Sequence, residues 1–187
     1  EFHQLFQCSY ITLDPATSKK TPDQFAISYT EIIDGIPHVQ ELIAEKLSSP
    51  QAVWRTLNLA VEKQCGLIIV ESNAFQYSLV EWFDFIIAQM KLQGIQIIPH
   101  HNSTQKNSRI LGIFKELVGQ KLSLNKRIAG KVIAQALEFD PRVTDNIDDI
   151  LDCIQMAYTS YIKYRGAIAS ALADNVFVNP DGAKHRL

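Results

Sequence analysis

The chain has 187 residues, 47% hydrophobic and 20% charged, the size and composition of one compact domain with room for a real core. A formal net charge of -2 excludes a protein that coats nucleic acid over its whole surface, although it leaves space for a local basic groove. No apolar run approaches the ~20 residues that a membrane span needs, so a soluble protein with no membrane partner is expected. In chain order, residues 5–13 and 25–30 read as strands, separated by a polar loop over Pro15 to Asp23. Residues 36–43 read as a third strand after the turn signal Asp34-Gly35, and three strands in succession suggest an antiparallel meander. Ser48-Ser49-Pro50 then opens an amphipathic helix carrying Val53, Trp54, Leu57, Ala60 and Val61.

From Gly66 onward strand and helix alternate. Leu67 to Val70 is a short continuous apolar run, the signature of a strand buried on both faces. A helix over 77–92 follows, stopped by Gly94, and Ile95 to Ile98 forms another buried strand. Residues 103–118 read as helix, 122–124 as a short strand, 126–139 as helix, and 148–172 as one longer helix after the break at Asp140-Pro141. The fold class is therefore α/β, a mixed sheet of three antiparallel strands with parallel additions, flanked by helices. Residues 1–173 form the domain and 174–187 a turn-like tail. Because the chain starts without Met and enters strand-like sequence almost at once, it reads as a domain cut from a longer protein. Cys8, Cys65 and Cys153 are widely spaced and apolar in context, which suggests reduced thiols and an intracellular setting.

The chemistry concentrates in carboxylates. Asp14 and Glu71 each stand where an apolar strand leaves the sheet, and an acidic cluster, Asp145, Asp148, Asp149 and Asp152, opens the last long helix. A carboxylate beside a packed core is costly unless it is paired or binds a cation, and ligands of open sheets gather at the carboxyl ends of strands. Each residue also has an ordinary explanation: Asp14-Pro15 as a turn, Glu71 as a helix cap, the acidic cluster as capping and dipole complementarity. Their conjunction favours a divalent-metal site in which two ions about 4 Å apart would activate water for phosphodiester hydrolysis. Mg2+ or Mn2+ suits such hard oxygen ligands better than zinc.

A basic stripe, Lys106, Arg109, Lys115, Lys121, Lys126, Arg127 and Lys131, is opposed only by Glu116 and reads either as a phosphate-backbone track or as a solvated helix face. His100-His101 could add a metal ligand or touch DNA but reads first as a surface loop pair, and Trp54, Trp82, Phe83 and Phe85 read as packing residues. Ala129-Gly130-Lys131 lacks the earlier glycine of a nucleotide-binding loop.

The strand ending Leu13-Asp14-Pro15-Ala16, the strand 68–73 with Glu71, the segment Lys106 to Leu111 and the helix start Asp148 to Cys153 occur in an order that resembles the C-terminal nuclease domain of the tailed-bacteriophage terminase large subunit. The resemblance spans about residues 10–164. It implies a ribonuclease H-like fold and a two-metal endonuclease that cuts concatemeric viral DNA during genome packaging in the cytoplasm of a bacterial host. It also implies double-stranded DNA as substrate, with an ATPase motor domain, portal and small terminase subunit as partners. Asp14 and Glu71 match the family's first two metal ligands, and the third falls within Asp148-Asp149. Ile147 and Cys153 stand where the family often has His and Ala, which leaves open which of the two aspartates is the ligand. Lys106 and Arg109 match a segment expected near the DNA, with Lys126 and Arg127 further along the same stripe. A junction resolvase of the same fold and a noncatalytic DNA-binding module are the rival readings.

Overall fold

The meander forms as the alternation of side chains requires. In the computed structural model, which describes residues 8–15, 24–72, 77–102, 105–143 and 146–170, β1 (Cys8–Asp14), β2 (Phe25–Ile33) and β3 (Ile36–Glu45) pair antiparallel. Asp34 and Gly35 turn the chain between β2 and β3 with φ of 52° and 75°, the left-handed conformation of a two-residue hairpin turn. Between Tyr29 and Thr30 the register skips Gln40, a bulge that bends β3 against β2.

After the meander come α1 (Ser49–Lys63), β4 (Leu67–Glu71), α2 (Tyr77–Met90), β5 (Gln96–His100), α3 (Lys106–Val118), β6 (Ser123–Leu124), α4 (Lys126–Glu138), α5 (Asp149–Lys163) and α6 (Arg165–Ser170). The Ser48 amide donates to Gln51 Oε1 at 2.9 Å and fixes the start of α1, which ends on Gln64 in the left-handed region. Six strands line up as β5-β4-β1-β2-β3-β6, with β4 parallel to β1, β5 to β4, and β6 to β3. The mixed sheet expected from the sequence is thus present. Helices α1 and α2 cover one face around Ile11, Leu13, Ile68 and Val70, and α3 to α6 cover the other. With both faces covered, β4 is buried along its whole length.

Four expectations need correction. The strand expected to be buried over Ile95 to Ile98 is β5 at the edge of the sheet, with Gln96 and Pro99 exposed and Ile97 and Ile98 half-buried. The helix expected as one piece over 148–172 is broken at Tyr164, where the backbone turns to φ -114°. The break lets Tyr164 donate to the Pro99 carbonyl at 3.1 Å and lets Ile168 pack among Tyr10, Leu67 and Ile69. Phe83 is fully buried, but Trp54, Trp82 and Phe85 are 45%, 38% and 55% exposed and line a groove of about 480 Å³ between α1 and α2. Helix α2 is apolar nearly all round, so its spacing does not separate inner from outer stripe. His100 closes β5 at 2% exposure and is no surface loop residue. All three cysteines are free, Cys65 and Cys153 buried. Asp145, Ser103, Asn73, the loop after Pro15 and the tail from Leu172 lie outside the described residues. Among the described residues no helix is long and apolar enough to cross a membrane.

Candidate active site

The pleat aims two carboxylates at the same helix. On β1, Ile11 and Leu13 face α1 and α2, so Tyr10, Thr12 and Asp14 face the other side. There Tyr10 Oη donates to the Ala157 carbonyl of α5 at 2.7 Å, and Thr12 Oγ1 lies 4.0 Å from Cys153 Sγ. On β4, Ile68 and Val70 face α1 and α2, which turns Leu67, Ile69 and Glu71 toward α5 and α6. Leu13 pairs with Val70 in the parallel ladder, so the next residues along, Asp14 and Glu71, emerge side by side.

Helix α5 supplies the third group. Single carboxylate oxygens of Asp14, Glu71 and Asp152 lie within 4.8 Å of one another. Asp152 sits between the buried Leu151 and Cys153 on the face of α5 that meets the sheet, and its amide closes the first helical bond to the Asp148 carbonyl at 2.8 Å. Asp148, one turn earlier, grips Lys106, whose Nζ is 2.7 Å from its carboxylate and 3.4 Å from Asp152. Arg109, one turn along α3, lies 3.5 Å from Asp152 Oδ1 and donates to Gln155 Oε1 at 2.9 Å. Asp152 Oδ1 is buried with no hydrogen-bond donor.

The electrostatics follow from this crowding. Burial, with the charges of Asp152 and Glu71, pushes Asp14 well above the ordinary carboxylate range. Burial also pushes Glu71 up, but hydrogen bonds from Asp14 and Asn102 and the nearby Arg109 outweigh it and hold its carboxyl below the usual range. Burial raises Asp152 despite Lys106 and Arg109. Burial opposes the charge of Lys106, yet Asp152, Asp148 and Asp14 together hold its ammonium firmly protonated. Three hard carboxylate oxygen donors from three elements fit a Mg2+ or Mn2+ ion, and Asp152 Oδ1, ion-paired but without a hydrogen-bond donor, has a lone pair to offer.

The other sequence candidates are placed as follows. Asp149 is the first residue of α5, half-buried, and is outside the set of three. Lys106 and Arg109 stand beside the carboxylates. Lys126 and Arg127 are exposed at the start of α4, which follows the pairing of Leu124 with Val39, whereas Asp14 lies level with Ala44 of β3. Leu124 thus lies five residues, about 17 Å, below Asp14 along the strand direction, and the chain heads upward from it into α4 because β6 runs parallel to β3. The structure thus brings Lys106 and Arg109 to the carboxylates, while Lys126 and Arg127 open α4 just after the edge strand β6. His101 Nε2 is 3.1 Å from Ser72 Oγ, and Asn102, which the sequence did not suggest, donates to Glu71.

No protein-family profile matches the chain, and no curated protein does. Solved structures do match. The human cytomegalovirus terminase nuclease domain is 14% identical with a TM-score of 0.63, over 86% of each chain. The large terminase nuclease of thermophilic phage G20c is 16% identical with a TM-score of 0.59, over 83% of each. The fowlpox virus Holliday junction resolvase is 10% identical with a TM-score of 0.52, over 82% of this chain and 97% of that one. At these identities the likeness concerns the fold: the chain has the ribonuclease H-like fold of terminase nuclease domains.

Proposed function

We propose that this domain is a Mg2+- or Mn2+-dependent endonuclease that hydrolyses phosphodiester bonds in double-stranded DNA, with Asp14, Glu71 and Asp152 as its metal ligands. The observation that carries the reading is the meeting of these three carboxylates within 4.8 Å at the carboxyl ends of adjacent parallel strands. The cytomegalovirus terminase nuclease domain, similar in fold, has been solved soaked with Mn. Two bound ions would supply an activated water and a Lewis acid for the leaving oxygen. The protein's own part is to orient the ligands and balance their charge: Lys106 and Arg109 neutralise Asp148 and Asp152, and lie where a DNA phosphate would approach. The finer reading is a terminase nuclease that cuts concatemeric viral DNA in the bacterial cytoplasm, working with an ATPase motor domain, a portal and a small terminase subunit.

The fowlpox resolvase fold supports a second reading, cleavage of four-way junctions. The test is cleavage of supercoiled plasmid, linear duplex, four-way junction and RNA–DNA hybrid with Mn2+, Mg2+ or EDTA. Plasmid and linear duplex should be cut with either metal and spared in EDTA. Asp14→Ala, Glu71→Ala and Asp152→Ala should each lower the rate at least about a hundredfold, whereas Asp149→Ala should not. Loss of activity in Asp149→Ala with Asp152→Ala active would return the third place to Asp149. Cutting confined to junctions would favour the resolvase, and no cleavage with any metal would leave a binding module.

A further inference from the structure

Glu71 has one more rotatable bond than an aspartate, so the strand that carries it does not by itself fix its carboxylate. Asp152 is steadied by Lys106 and Arg109. At Glu71, beside the contact with Asp14, a further steadying group comes from the edge of the sheet. Glu71 and His100 are direct partners in the β4–β5 ladder, and the Ser72 amide adds one more rung to the His100 carbonyl at 2.9 Å. Two residues on, Asn102 folds back over the strand end: its Nδ2 lies 3.1 Å from Glu71 Oε1 and its Oδ1 3.0 Å from His100 Nε2.

We propose that Asn102 is a positioning residue that holds the Glu71 carboxylate for metal binding, and that His100 acts through Asn102 by fixing its amide. This rests on the metal-site reading above. The polarity of the chain admits one arrangement. An ionised carboxylate only accepts, so the amide NH2 of Asn102 faces Glu71 and its carbonyl faces the imidazole, which donates from Nε2. Asparagine meets both demands; aspartate lacks the donor and leucine lacks both groups. His100 is itself locked in place, 2% exposed and edge-on to the Tyr164 ring with centroids 5.7 Å apart. The joint between α5 and α6 thereby supports a residue on the opposite edge of the site.

Groups that orient a ligand from behind commonly govern metal affinity by ~10–100-fold. The test is Mn2+ binding by titration calorimetry on the 187-residue chain, with the metal-free melting temperature as the control for folding. Asn102→Ala should weaken Mn2+ by at least about tenfold with an unchanged metal-free melting temperature. His100→Gln, whose amide donates in place of Nε2, should bind close to wild type, and His100→Leu should not. The double variant His100→Leu/Asn102→Ala should be no weaker than Asn102→Ala, because the two act in series. Should Asn102→Ala melt early, the contrast between His100→Gln and His100→Leu decides. Wild-type binding with an equally tight Asn102→Ala overturns the positioning role while the metal site stands. Additive losses in the double variant overturn the role of His100, and a wild type that binds no Mn2+ overturns both readings.

Discussion

Two carboxylates at the spacing of Asp14 and Glu71, partly shielded from water, repel when both are ionised, so burial and the charges of Asp152 and Glu71 favour the proton on Asp14. The folded protein holds that proton more tightly than the unfolded chain does. For Asp14 the linkage therefore stabilises the metal-free fold at pH values below the ordinary aspartate range, and this contribution is lost as the pH rises through the raised value. Asp14→Asn removes the repulsion and should raise the metal-free melting temperature at pH 7, by about 2–4 °C for each kcal/mol relieved, with no gain near pH 3. Wild type at 100 times its dissociation constant for Mn2+ should gain about 2.7 kcal/mol, and Asp14→Asn none. Thermal melts at the two pH values with and without Mn2+ check this; equal metal-free melting temperatures at pH 7 would refute the upward shift of Asp14. Asp14 and Glu71 were legible in the sequence because each ends an apolar run whose pleat dictates its side. Asp152 was not singled out, since spacings of three and four put several carboxylates of α5 on one side, and the seating of the helix against the sheet selects among them. Asn102 was invisible because its bond to Glu71 spans 31 residues and depends on the β4–β5 register.

Helix α5 is the element that completes the site, and its seating is set by contacts away from the carboxylates. Tyr10 ties it to β1 through Ala157, and Tyr161 donates to the Gly35 carbonyl at 2.5 Å, at the β2–β3 turn. Between these anchors and Asp152 lies Cys153, fully buried against Thr12. A larger side chain there has no space without lifting α5 from the sheet. Cys153→Leu should cost about 1–3 kcal/mol in urea unfolding and weaken Mn2+ binding by moving Asp152. Cys153→Ala should keep wild-type Mn2+ affinity. Unchanged affinity in Cys153→Leu would show that Asp152 does not depend on this seating. The strands and most helices were readable from periodicity, but the joint at Tyr164 was not, because residues 148–172 carry continuous helical spacing and the break is made by contacts with Pro99 and Ile168.

Over the whole molecule, the basic residues that form one stripe in the sequence divide into two groups in space. Lys106 and Arg109 meet the carboxylates, so part of their charge is spent within the site, while Lys126 and Arg127 begin α4 just after the edge strand β6, which lies three strand spacings, about 14 Å, across the sheet from β1. Such an offset across the sheet suits a duplex whose backbone enters at the strand ends and passes α4. If both α4 residues contact phosphates, the double variant Lys126→Ala/Arg127→Ala should lower the slope of log affinity against log salt by about 1.8 for duplex DNA, at roughly 0.9 for each phosphate lost. Its Mn2+ affinity and its cleavage rate at saturating DNA should match wild type, since neither residue touches the carboxylates. Lys106→Ala should show the opposite pattern, with a slope changed by no more than about one and a large loss in saturated rate. Fluorescence anisotropy on a labelled duplex in Ca2+, across a salt series, separates the two. An unchanged slope in the α4 double variant would mean that the stripe beyond Arg109 is a solvated helix face, and that the duplex is held by the site and its immediate neighbours.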